Sequence, residues 1–117
     1  MGIQTRKKGQ RTQLKAFRFA TSFPDTTCLI MHQASHWATP QPFDLILFRP
    51  THWIRLVEVR ANQWGVARPQ TRALAALPGE EYMRQIWCFK DRCQVPQIRQ
   101  WDGKEWVHQD NPWEGGE

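Results

Sequence analysis

The hydrophobic positions of this chain change their period several times, and each change marks an element. Over residues 5–22 the spacing is helical: Leu14, Phe17 and Thr21 fall at i, i+3 and i+7, with Ala16 and Ala20 beside them. Pro24 and Asp25 stop that helix. Residues 26–33 (TTCLIMHQ) predict a first strand, and 34–42 (ASHWATPQP), with its two prolines, predict a loop. Residues 43–49 (FDLILFR) predict a second strand, Pro50 and Thr51 a tight turn, and 52–61 (HWIRLVEVRA) a third strand. A second helix is expected from near Pro69, a residue suited to the first helical position. It would present Gln70, Leu74 and Leu77 on one face and end at Pro78-Gly79. Residues 81–90 (EYMRQIWCFK) predict a fourth strand. Residues 97–101 and 104–108 flank Asp102-Gly103, a pair that favours a hairpin turn, and 109–117 are expected to fray.

The order is helix, three strands, helix, strand, hairpin. Short connections make the first three strands an antiparallel meander, and the helix before the fourth strand implies a crossover. The expected architecture is one α/β domain over 1–117, with helices on both sides of a mixed sheet. Its core covers about 6–90 and is followed by the hairpin 97–108.

Composition narrows the class. The 117 residues suit a single domain large enough to bury a core. No apolar run approaches the ~20 residues of a membrane helix, and no apolar stretch follows the basic N-terminus. Three cysteines, Cys28, Cys88 and Cys93, are an odd number, which fits reduced thiols in an intracellular, cytoplasmic protein. A zinc site of Cys28, His32, Cys88 and Cys93 lacks the usual paired knuckles.

Charge adds a direction. The net charge is +5, and residues 1–20 carry Arg6, Lys7, Lys8, Arg11, Lys15 and Arg18 with no acidic residue. A basic end points to a polyanionic partner, nucleic acid first, against the plainer reading of a solvated arm. Seven tryptophans mostly imply packing, with one or two available to stack on bases. An RNA-binding domain built on such tryptophans is a third reading.

Two carboxylates stand out because both lie among strong β-formers, where an unpaired charge is expensive to bury. By alternation Asp44, Ile46 and Phe48 share one strand face, and Leu56, Glu58 and Arg60 share another. Pairing through the 50–51 turn brings Asp44 near Glu58 and Arg60. Two such carboxylates can hold Mg²⁺ (or Mn²⁺), which favours oxygen ligands. A buried ion pair of either carboxylate with Arg60 explains the same residues without any metal. The histidines are scattered, and His36 lies beside Ser35 in the loop.

The string Pro42-Phe43-Asp44, followed by Glu58-Val59-Arg60 on the next strand, resembles the motif of the PD-(D/E)XK nucleases. Within that superfamily the chain looks most like the archaeal-type Holliday junction resolvases and related short nucleases. The likeness spans about residues 6–90. It implies a restriction-endonuclease-like fold, a homodimer, and metal-dependent hydrolysis of phosphodiester bonds in DNA, branched DNA included. Carried over residue by residue, it makes Asp44 and Glu58 metal ligands, with Asp44, Glu58, Arg60 and Gln13 as the catalytic set. It also places Ser35, Gln70 and the basic start of the first helix (Arg6, Lys7, Lys8, Arg11) against nucleic acid, with Arg68 and Arg72 nearby. Two positions depart from the pattern. Gln13 stands where the family has a helix Glu, and Arg60 where it has Lys. Arginine keeps the charge but is bulkier and does not deprotonate. These departures also fit a nuclease fold that binds DNA without cutting it.

Overall fold

The computed structural model describes residues 2–30, 43–49, 52–62, 64 and 69–109, with residues 2–10 described by backbone alone. Its elements are α1 (Gly2–Thr21), β1 (Thr27–Ile30), β2 (Leu45–Arg49), β3 (Trp53–Ala61), α2 (Pro69–Ala75), β4 (Met83–Phe89), β5 (Gln97–Trp101) and β6 (Trp106–Gln109). The strands form one six-stranded sheet in the order β1-β2-β3-β4-β5-β6. Only the central β3–β4 pair is parallel; the other four are antiparallel. The chain is thus an α/β protein with a mixed sheet: a meander, a helical crossover and a second antiparallel run. The hairpin expected as an appendage continues that sheet. The edge strands β1 and β6 are described over four residues each.

Strand registers assign the two faces. Cys28, Leu47, Arg55 and Met83 lie opposite one another across β1 to β4, on the face that also carries Val57, Trp87 and Ile98. This face packs on α1 through a cluster of Ala16, Ala20, Cys28, Leu45, Leu47, Trp53, Val57, Trp87, Phe89 and Ile98. Phe19 meets Trp87 edge-on, with centroids 5.4 Å apart. Within this layer the Trp87 indole N–H donates to the Gln85 side chain at 3.0 Å, and the Gln85 amide donates to Gln100 at 2.9 Å. A buried amide is thereby satisfied on both sides.

The opposite face carries Leu56, Glu58, Arg60, Ile86 and Cys88 under α2, whose buried residues are Thr71 and Leu74. The end of α2 is capped by a cation. Arg84 of β4 donates to the carbonyls of Leu74 (3.1 Å), Gly79 (2.9 Å) and Leu77. Gly79 turns the chain there at φ 102°, a conformation glycine adopts without strain.

Several boundaries and faces differ from expectation. The buried stripe of α1 is Thr12, Ala16 and Ala20, while Leu14 is 48% exposed and Thr21 is exposed. Alanines let the helix axis approach the sheet closely, and the larger Phe17 and Phe19 fill its flanks. In α2 the inward pair is Thr71 and Leu74; Gln70 and Leu77 are only half-buried. The hairpin turn is longer than a two-residue turn because Asp102 accepts the backbone N–H groups of Lys104 and Glu105, both at 2.8 Å. That places Lys104 and Glu105 in the turn and Gln109 in β6. The first strand is seen over Thr27–Ile30, and its expected continuation, the 34–42 loop, the 50–51 turn and the tail beyond 109 lie outside the described residues.

Candidate functional site

The site begins where β2 starts to pair with β3. Just before the strand, the backbone N–H of Asp44 donates to the Val57 carbonyl at 2.8 Å. Its carboxylate is held on two sides. One oxygen accepts the Val59 backbone N–H at 2.8 Å, and the other accepts the Gln13 side-chain amide of α1 at 3.4 Å. Both donors are neutral. Burial pushes the Asp44 carboxyl above its ordinary range, and the nearby Glu58 charge pushes the same way. The Val59 N–H, the Gln13 amide and the Arg60 charge pull it back.

Glu58 is fully enclosed on β3, and its main partner is two positions along the same strand face. The Arg60 guanidinium donates its Nε to Glu58 Oε2 at 2.9 Å, and its Nη2 lies 2.8 Å from that oxygen. The Thr71 hydroxyl of α2 lies 2.9 Å from each carboxylate oxygen and is also hydrogen-bonded by Arg60. A buried charge pair survives only with such additional hydrogen bonds. Thr71 supplies them here.

Four residues read from the sequence thus form two pairs, Gln13 of α1 with Asp44 just before β2 and Glu58 with Arg60 on β3, and the charges of the second pair act on Asp44. The fifth, Thr71, is added by the structure. Its signal in the sequence is the i, i+3 spacing with Leu74, which competes with the 70–74–77 spacing. The structure sets Thr71, rather than its neighbour Gln70, against Glu58. Arg11 and Arg72 are exposed. The side chains of Arg6, Lys7 and Lys8, together with Ser35, His36 and Arg68, lie outside the described residues.

Comparison with known proteins gives no relative to lean on: no protein-family model, no curated protein and no solved structure matches the chain. The site's donors are hard oxygens, the type that suits Mg²⁺ or Mn²⁺. Among the described residues no group of three or more His, Cys, Asp or Glu side chains comes together around a metal-sized position. The oxygens available to an ion are those of the two carboxylates, while Gln13 presents its amide N–H to Asp44. Asp44 fits this role, being partly desolvated and held by neutral donors. At Glu58 an ion must compete with Arg60 and Thr71.

The cysteines are apart. Cys28 lies on the α1 face and Cys88 on the α2 face, so they cannot share an ion, and Cys93 is exposed beyond β4. Among the described residues no helix is long and apolar enough to cross a membrane.

Proposed function

We propose that the chain acts on DNA as a metal-dependent phosphodiesterase, with Asp44 and Glu58 holding Mg²⁺ or Mn²⁺. One observation carries this reading. Asp44 is tied to Gln13 of α1 and to the Val59 N–H of β3, both neutral donors, and lies within electrostatic reach of Glu58 and Arg60 on β3. A cation relieves both the desolvation and the mutual repulsion of the carboxylates. The ion, when bound, supplies acidified water and charge for the phosphate. Arg60, buried against Glu58, offsets negative charge at the site through its field, and Gln13 orients the Asp44 carboxylate or a ligand beside it. In this reading the working unit is a homodimer, as in the junction resolvases that the chain resembles.

A second reading is a DNA-binding module that does not cleave. It is favoured by Glu58, whose two oxygens are already engaged by Arg60 and Thr71.

One set of measurements separates them. Asp44→Asn keeps the shape, and the Gln13 amide can turn its oxygen to meet the new NH₂. With Mg²⁺ or Mn²⁺ the parent should gain thermal stability as RT ln(1 + [L]/Kd), about 2.7 kcal/mol at a hundredfold excess over Kd, and the variant should gain none. Without metal, a raised Asp44 pKa means the folded state holds its proton more tightly than the unfolded chain. The parent should therefore lose stability relative to Asp44→Asn as pH rises through the carboxylate range. Cleavage of branched, single-stranded or duplex DNA by the parent, lost in Asp44→Asn, supports the nuclease. DNA binding with neither cleavage nor a metal shift supports the module. Absence of metal and DNA binding alike overturns both.

A further inference from the structure

The α2 layer has a second feature beyond the carboxylate site. Between α2 and the β5–β6 hairpin lies a cleft of about 380 Å³, lined by Arg72, Ala75, Arg99, Trp101, Lys104, Glu105 and Trp106. Trp101 and Trp106 are direct cross-strand partners, with ring centroids 5.3 Å apart and planes tilted by 55°. Both remain partly exposed. Arg99 shares the strand face of Trp101, and its guanidinium sits 4.2 Å over the Trp64 ring. Trp64 is itself anchored by its indole N–H on Gln97 at 3.2 Å. Arg72 and Lys104 are exposed at opposite sides of the cleft, and Glu105 is the one carboxylate among its lining residues.

We infer that this cleft binds single-stranded DNA, with a base stacked on Trp101 and Trp106 and the adjoining phosphates met by Arg72, Arg99 and Lys104. The chemistry selects this ligand in two steps. Three cations against one carboxylate select a polyanion. The aromatic pair selects, among polyanions, one with flat unpaired rings, because stacking needs a base face that duplex DNA keeps covered. Arg99, fixed on Trp64, gives up less freedom on meeting a phosphate than a mobile side chain would.

The inference deepens the proposed function and rests on its nucleic-acid partner. It also connects to that site through α2. Thr71 points at Glu58, while the next residue, Arg72, lines the cleft. A strand held here runs beside the helix that closes over the carboxylates. The cleft then marks an unpaired flank of the DNA, as at a branch or end.

The test is fluorescence anisotropy with labelled oligothymidylate and a duplex of equal length, in EDTA so that metal chemistry plays no part. Trp101→Ala should weaken single-strand binding about tenfold, within the range for removing one base–aromatic stack. Trp101→Phe should restore most of it, and the duplex should respond less. The exposed pair Arg72→Gln/Lys104→Gln, which spares the core, should lower the single-strand salt slope by about 0.7 for each phosphate that is no longer neutralised. Unchanged affinity and slope in that pair overturn the inference even if Trp101→Ala fails to fold. Equal losses on single strand and duplex for Trp101→Ala overturn the stacking. The thermal response of the parent to Mg²⁺ or Mn²⁺ is read separately from this binding. Absence of the metal response with this binding intact removes the nuclease reading alone, and the reverse removes the cleft alone.

Discussion

At the residue scale the dominant interaction is the buried Glu58–Arg60 pair. Two neighbouring positions on one strand face, 58 and 60, place opposite charges side by side with relative exposures of 2% and 3%. Their attraction alone does not guarantee stability, because both ions leave water. Removing one partner has a clear sign. Arg60→Met leaves an uncompensated carboxylate among Leu56, Ile86 and α2, and should lower unfolding stability by about 3–5 kcal/mol. Adding Glu58→Leu should recover most of that loss, since an apolar pair of similar volume is tolerated there. Urea unfolding of the two variants checks it, and a double variant as weak as the single one would refute this account. Glu58 and Arg60 were legible in the sequence through alternation. Thr71 was not, because its role depends on which face of α2 turns inward.

At the scale of elements, α1 shows how a helix chooses its face. A reading by bulk favours Leu14 and Phe17, yet the side chains that disappear completely are Ala16 and Ala20, at 0% exposure. Close approach of the backbone to β1 and β3 gains more dispersion attraction than burying one leucine, since interiors pack at crystal-like density. Ala20→Leu should therefore cost about 1–3 kcal/mol by overpacking, whereas Leu14→Ser should stay within about 0.5 kcal/mol. Thermal or denaturant unfolding reads both, and the reverse ranking would mean that the helix is rotated from this position. The rotation also bears on the site, because it is what carries Gln13 to Asp44.

For the whole molecule the parallel β3–β4 pair is the organising feature. It forces the chain across the sheet through α2, and this one crossover closes the carboxylate site and builds one wall of the tryptophan cleft. The net charge of +5 sits on this frame with an uninterrupted basic run at the N-terminal end. Association with duplex DNA should weaken steeply as salt rises. Replacing Arg6, Lys7 and Lys8 by Gln should reduce the log–log salt slope by about 0.9 for each phosphate that these side chains neutralise. Titrations at several salt concentrations measure this, and an unchanged slope would make the basic run a solvated surface.

The amino-acid sequence by itself determined the number, type and order of the elements. Those are set by signals a few residues long: the period of apolar positions, proline at the start of α2, and Asp-Gly at the hairpin. It also determined that Glu58 and Arg60 share a strand face, since alternation is a property of the backbone. Only the tertiary structure decided which partners meet. Gln13 and Asp44 lie 31 residues apart, and Thr71 lies 13 from Glu58. The cleft joins Arg72 of α2 to Trp101 and Trp106 of a hairpin that the sequence left detached from the core. Meetings of this kind depend on how each helix rotates against the sheet. That rotation is settled by packing across layers, where a small alanine or threonine can outweigh a larger apolar neighbour.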